Sequence, residues 1–177
     1  PNQLFLNKDS IQEAEKILNI NHRFVVLVPS AANFLKGWPL EKWHELIKKN
    51  ESTQFVILAG KEDLFTNELN VYKNVINLTG KTNLLQSAAV ISKSDLVISN
   101  DTGLLHFTEQ LGKKAVALMG PAPFGFPSRV STLILEKNLK CRPCSKHGQG
   151  PCTNKFYHEC MVTITSDEVT QAMKSQL

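Results

Sequence analysis

The turn at residues 100–103, with the sequence Asn-Asp-Thr-Gly, is the segment whose residue types are best suited to chemistry. An apolar run precedes it and a helical pattern follows it, so it is predicted to end a buried strand and open a helix. Free backbone amides and the helix dipole favour a phosphate there, and Gly103 has no side chain to block its approach. Asn100 or Asp101 is expected to cap this helix, and Gly112 to end it in a left-handed turn.

Lys36 is a second candidate, in the loop that follows the first predicted strand. If that loop lies across a crevice from the 100–103 turn, the ammonium group of Lys36 can reach a phosphate bound at the start of the helix. The alternative is a solvated surface lysine. Its position in the sequence does not separate the two interpretations.

Three acidic residues and one histidine have two interpretations each. Glu62, at the end of the second predicted strand, either accepts hydrogen bonds from two ribose hydroxyls or is a first-turn acid stabilised by the helix dipole. Asp63 fits either role. Asp101 either caps the helix or accepts a hydrogen bond from a sugar hydroxyl, because its charge repels phosphate. His106, one turn into the same helix, points either at the crevice or into the core.

Four cysteines follow the last predicted strand: Cys141, Cys144, Cys152 and Cys160. Four thiolates can hold zinc, and His147 and His158 are additional candidate ligands. The alternative is a set of buried or free thiols, because only the first two cysteines have the two-residue spacing of a zinc knuckle.

The elements that must position these residues alternate between strand and helix. Apolar runs predict strands at 24–28, 55–59, 75–78, 96–99, 115–119 and 132–135. Helical periodicity predicts helices at 10–18, 40–49, 61–70, 84–92, 102–111 and 166–177, with Ser10 as the cap of the first and capping boxes at Asn83 and Thr165. No hairpin turn interrupts the alternation, so the fold class is α/β, a doubly wound parallel sheet. In the commonest strand order, 3-2-1-4-5-6, the loops after strands 1 and 4 face each other across a crevice.

Composition limits the class of ligand. The chain has 177 residues, of which 42% are apolar and 20% charged, as expected for one globular domain. Its net charge of +4 is compatible with an anionic ligand and too small to indicate nucleic acid. No apolar run approaches the roughly 20 residues of a spanning helix, and no signal peptide is evident. Because the chain starts at Pro1, we expect its front half to be missing.

Six short segments occur in an order that is typical of one enzyme family. They are Pro-Ser-Ala at 29–31, Lys36 with Trp-Pro-Leu at 38–40, Leu-Thr-Gly-Lys-Thr at 78–82, Ser-Asn-Asp-Thr-Gly at 99–103 with His106, Ala-Leu-Met-Gly-Pro at 117–121 and Cys-Arg-Pro-Cys at 141–144. Through these segments nearly the whole chain resembles the C-terminal half of family 9 glycosyltransferases, the ADP-heptose:lipopolysaccharide heptosyltransferases. It departs from their pattern at Ser30, where glycine is usual, and at Gly37, where a basic residue is usual.

The resemblance implies a GT-B fold of two Rossmann-like domains, in which residues 1–177 form the domain that binds the nucleotide-sugar donor, ADP-heptose. It also implies that the transfer requires no cofactor. The implied donor-binding residues are Lys36, Glu62, Asp101, Thr102, Gly103, Leu104 and His106. Lys36 and the backbone of 102–104 would hold the diphosphate, Glu62 the ribose, and Asp101 the sugar.

The resemblance also implies partners. The acceptor would be the lipid A–core of lipopolysaccharide, reached by a cytoplasmic enzyme peripheral to the inner membrane. The family's catalytic base is an aspartate of the N-terminal domain, which has no counterpart here, so this chain alone is expected to be inactive.

Two other interpretations remain open at this point. A dinucleotide-binding module needs Gly-x-Gly-x-x-Gly after the first strand, and residues 29–34 contain no glycine. A non-enzymatic interaction domain stapled by zinc would leave the Asn-Asp-Thr-Gly turn without a purpose.

Overall fold

A computed structural model describes residues 4–122, 129–145 and 147–177. Its strands are β1 (Val25–Val28), β2 (Phe55–Ile57), β3 (Val75–Asn77), β4 (Leu96–Asn100), β5 (Ala115–Leu118) and β6 (Thr132–Leu135). Its α-helices are α1 (Lys8–Leu18), α2 (Leu40–Lys49), α3 (Leu84–Lys93), α4 (Gly103–Gln110), α5 (Glu159–Val162) and α6 (Ser166–Gln176). Two 3₁₀ segments complete the described elements, a lysine turn at Phe34–Lys36 and a longer piece at Leu64–Val71.

The six strands form one parallel sheet in the order β3-β2-β1-β4-β5-β6, which confirms the predicted topology. All residues of β1, β2, β4 and β5 are buried, as expected for apolar runs that do not alternate. Because β1 pairs with β4, with Val28 opposite Ser99, the loops that follow these two strands begin side by side.

Helices cover both faces of this sheet. On one face, Trp43 of α2 and Val169 of α6 belong to a buried cluster that includes Leu27 and Ile98. On the other face, α1 and α3 pack together over a second cluster built on the neighbouring sheet residues. The doubly wound α/β prediction is therefore confirmed. The helices cover the faces of the sheet and not the carboxyl ends of its strands, where the loops of such folds form the ligand crevice.

Most of the predicted helix ends, which were based on local capping signals in the sequence, agree with the structure. The capping boxes at Asn83 and Thr165 are both present, and Gly112 has φ +68° just after α4. The cap of α1 is Asn7, which accepts a hydrogen bond from the Ser10 amide, so the prediction of Ser10 was wrong.

Three short elements differ from expectation. The helix predicted at 61–70 is the 3₁₀ segment at Leu64–Val71, whose Thr, Asn and Val residues are poor α-helix formers. The lysine turn and α5 were not predicted, because each is shorter than the window in which helical periodicity can be read.

Among the described residues, no helix combines the length and the apolarity that crossing a membrane requires.

Candidate functional site

Asn100, at the end of β4, ties the two candidate loops together. Its side chain is fully buried, and its amide nitrogen donates to the carbonyl oxygens of Pro29 and Ser30 at 2.9 and 3.2 Å. Its amide oxygen accepts a hydrogen bond from the Trp38 backbone at 3.1 Å. Asn100 therefore fixes both ends of the loop that carries Lys36. It does not cap α4, and its actual role was missed because these partners are 62 to 71 residues away in sequence.

Lys36 and Asp101 form an ion pair between these loops. The Lys36 Nζ lies 2.6 Å from Asp101 Oδ2, and the two side chains are only 13% and 9% exposed. This excludes the solvated surface lysine, and it replaces the expected capping role of Asp101. The ammonium group is thereby held beside the start of α4.

The start of α4 presents free backbone donors. The cap is Thr102, whose hydroxyl oxygen accepts a long hydrogen bond from the Leu105 amide at 3.4 Å. The first amides of a helix have no intrahelical partner, so those of Gly103 and Leu104 remain available to an anion. A Cβ built on Gly103 would meet no atom within 4 Å, so open space lies next to these amides.

The two acids after β2 have different surroundings. Asp63 Oδ2 accepts hydrogen bonds from the Ser30 hydroxyl at 2.7 Å and the Gly60 amide at 2.8 Å. Asp63 thus joins the β1 loop to the β2 loop, and Ser30 makes a contact that glycine could not. Glu62 is exposed, and its carboxylate folds over Gly60, where a built Cβ would lie 2.7 Å from Oε1. Of the two, Glu62 is the carboxylate left to meet a ligand.

The other two predicted donor-binding residues lie on α4. His106 is exposed, which excludes the core position considered from the sequence. The side chain of Leu104 is half-buried against the cluster of α1 and α3, so only its backbone amide is a candidate ligand-binding group. Five of the seven predicted residues thus meet at the carboxyl ends of β1 and β4, with Glu62 on the neighbouring β2 loop and His106 one turn along α4.

The cysteines line one small cavity together with His158. All four are free thiols. Among residues 4–122, 129–145 and 147–177, no three Cys, His, Asp or Glu side chains are grouped so as to hold a metal ion. The Nε2 of His158 hydrogen-bonds the Leu35 carbonyl at 2.8 Å, which leaves Nδ1 as the only ring nitrogen that could be a ligand. The described residues therefore give the zinc site no support.

Burial raises the pKa of the Cys160 thiol to about 11, and the neighbouring Cys144 thiol adds to the shift. A raised pKa keeps the thiol protonated up to higher pH, and only the thiolate reacts. We expect Cys160 to react with iodoacetamide at pH 8 at least about tenfold more slowly in the folded protein than in urea. Mass spectrometry of the Cys160 peptide over time measures both rates, and equal rates would contradict the burial.

A separate cavity of about 530 Å³ lies at the opposite, amino ends of the strands, lined by residues that include His22, Arg23 and Lys73. Ligands of doubly wound sheets bind outside the carboxyl ends instead. The carboxyl-end crevice is therefore the candidate site. The cavity at the amino ends is the alternative location against which ADP binding can be compared.

Comparison with known proteins identifies the family. The model of glycosyltransferase family 9 (heptosyltransferase) matches residues 1–158 of the 177. The chain belongs to glycosyltransferase family 9. The family match covers β1 to β6, and with them both candidate loops.

Family 9 relatives share this domain over part of their length. Lipopolysaccharide heptosyltransferase 2 of Salmonella typhimurium is 29% identical over 157 residues, covering 80% of this chain and 43% of the relative. The structure of the E. coli ADP-heptose lipopolysaccharide heptosyltransferase II matches with a TM-score of 0.80 at 22% identity, covering 98% of this chain and 53% of that one. The E. coli heptosyltransferase WaaC with ADP-2-deoxy-2-fluoro heptose matches with a TM-score of 0.67 at 19% identity, covering 93% and 48%. The chain thus spans about half the length of the relatives it matches.

Proposed function

We propose that this chain is the nucleotide-sugar-binding domain of a heptosyltransferase that transfers heptose from ADP-heptose to the lipopolysaccharide inner core. The observation that carries the proposal is the Lys36–Asp101 pair beside the uncapped amides of Gly103 and Leu104. Family membership supports it, and so does the likeness to WaaC, a heptosyltransferase whose structure was solved with an ADP-sugar.

In this proposal the diphosphate binds where Lys36 meets the start of α4. Lys36 leaves its contact with Asp101 to pair with phosphate oxygens, and the amides of Gly103 and Leu104 donate to the same group. Asp101, released from Lys36, accepts a hydrogen bond from a hydroxyl of the sugar. Glu62 accepts hydrogen bonds from the ribose, because its carboxylate is exposed at the end of β2.

The chemical contribution of these groups is electrostatic. Transfer of the sugar leaves ADP with an additional negative charge, which preorganised donors and a lysine stabilise as it develops. The acceptor site and the catalytic base belong to a second, N-terminal domain in this proposal. The whole enzyme then works at the cytoplasmic surface of the inner membrane, where it meets the lipid A–core acceptor, and residues 1–177 alone bind donor without transferring sugar.

Calorimetric titration of the purified chain with ADP, and separately with NAD, tests this function. We expect ADP to bind and NAD to bind more weakly, because the β1 loop lacks the glycines of a dinucleotide site. NAD binding tighter than ADP would favour a dinucleotide module, and binding of neither would overturn the proposal.

Glu62→Gln should weaken ADP binding by about 1–3 kcal/mol, the scale of a hydrogen bond to a charged group. Binding of inorganic pyrophosphate should not change, because pyrophosphate has no ribose. Titration calorimetry with both ligands makes the comparison, and Glu68→Gln, an exposed acid of the adjacent 3₁₀ segment, is the matched control. An equal loss for both ligands would mean that Glu62 acts through the fold.

A further inference from the structure

The segment at residues 147–160 (the supporting segment) packs beneath the lysine turn. Asn33 Nδ2 donates to the His147 carbonyl at 2.6 Å, and His158 Nε2 lies 2.8 Å from the Leu35 carbonyl oxygen. Gly148 lies so close that a Cβ built on it would be 2.7 Å from Lys36 Cγ. Three positions of the loop that carries Lys36 therefore contact the supporting segment, which is more than 100 residues away in sequence.

His158 has a left-handed backbone conformation. Its φ of 58° lies in the left-handed region, which is uncommon outside glycine and persists only where the surroundings enforce it. The residue is only 4% exposed. Its amide donates to Cys152 Sγ at 3.3 Å, and its carbonyl accepts from the amides of Met161 and Val162, the last two residues of α5. Cys152 and α5 thus fix the backbone of His158, from which the imidazole extends to Leu35.

The imidazole holds two successive residues of the lysine turn. A carbonyl oxygen can only accept, so Nε2 carries the hydrogen that bonds Leu35. The ring also lies 5.5 Å from the Phe34 ring, centroid to centroid, at an interplanar angle of 32°. Movement of the turn would break both contacts, and the next residue is Lys36, whose ammonium reaches Asp101.

We propose that His158 is a positioning residue for the diphosphate of the donor, acting through the Leu35 carbonyl on Lys36. The inference rests on the proposed function, since it concerns the same ligand. His158 does not touch the diphosphate itself. It holds the backbone from which the lysine side chain extends, and Gly148 leaves the room that the lysine stem occupies.

Two substitutions separate the N–H of His158 from its bulk. His158→Phe keeps a planar ring against Phe34 and removes the donor, whereas His158→Gln keeps an N–H donor. Both carry the same left-handed backbone requirement. We expect His158→Phe to weaken ADP binding roughly tenfold and His158→Gln to restore most of that loss.

The decisive measurement is whether the loss of ADP affinity caused by His158→Phe depends on the presence of Lys36. A merely structural role of His158 would not produce such a dependence. In a Lys36→Ala background, His158→Phe should cause no further loss of ADP affinity, and raising the salt should reduce its effect in the wild-type background. Gly148→Ala leaves the histidine unaltered, pushes on the lysine stem and also strains the backbone at a φ of +71°. It should weaken ADP binding in the wild-type background and cause no further loss in the Lys36→Ala background, where the stem atoms are absent. This second variant keeps the test valid if His158→Phe does not fold.

The outcomes are distinguishable. Absence of ADP binding by the wild-type chain overturns the proposed function and the inference with it. ADP binding by the wild type that is unchanged by His158→Phe and by Gly148→Ala overturns the inference alone. Equal losses with and without Lys36 also overturn it, because His158 would then support the fold and not the lysine.

Discussion

Gly103→Val is expected to abolish ADP binding, weakening it at least about a hundredfold, while the melting temperature stays nearly unchanged. A Cβ at this position meets no atom within 4 Å, so the valine enters open space rather than the core. Gly103 has no positive φ and begins α4, and valine is a better helix residue than glycine. The branched side chain would instead occupy the space through which a diphosphate reaches the amides of Gly103 and Leu104.

Titration calorimetry and thermal unfolding measure the two quantities for Gly103→Val. The control is Gln110→Val, which puts the same side chain on the exposed last residue of α4 and should leave ADP affinity unchanged. A Gly103→Val protein that binds ADP normally would show that the ligand does not approach this turn.

Lys36→Ala is expected to reduce ADP affinity by about 1–3 kcal/mol at low salt, through loss of a charged hydrogen-bond donor. The loss should shrink as salt rises, because added ions screen the pairing between lysine and phosphate. The substitution should also lower the melting temperature, since it leaves the mostly buried carboxylate of Asp101 without its partner.

A double variant separates affinity from stability at this pair. Lys36→Ala with Asp101→Asn removes the unpaired charge, so it should regain melting temperature while ADP binding stays weak. Lys48→Ala, an exposed lysine of α2, gives the same change in net charge and should alter neither quantity. Unchanged ADP affinity in Lys36→Ala at low salt would remove Lys36 from the site.

The sheet and its crevice could be predicted because their signals are local. Each buried strand is a short apolar run, and the order of strands follows from alternation with helices and from right-handed crossovers. These rules place the Lys36 loop opposite the 100–103 turn without any knowledge of side-chain contacts. The free start of α4 also follows from local pattern, since helix geometry leaves its first amides unpaired.

The partners of the site residues could not be predicted, because they are distant in sequence. Asn100 and Asp101 both have residue types that favour a helix cap, and only the tertiary structure gives the cap to Thr102. Asp101 instead pairs with Lys36, 65 residues away. His158 bonds the Leu35 carbonyl across 123 residues, and no spacing in the sequence indicates it.

The most direct test of the donor site is the change in assigned backbone amide NMR signals when ADP is added to the labelled wild-type chain. We expect the largest shifts at Gly103 and Leu104, with further shifts in the lysine turn and at Glu62, and small shifts at the amino ends of the strands. Shifts concentrated at His22 and Lys73, or no shift at Gly103 under saturating ADP, would contradict the assignment of the site to the carboxyl ends of β1 and β4.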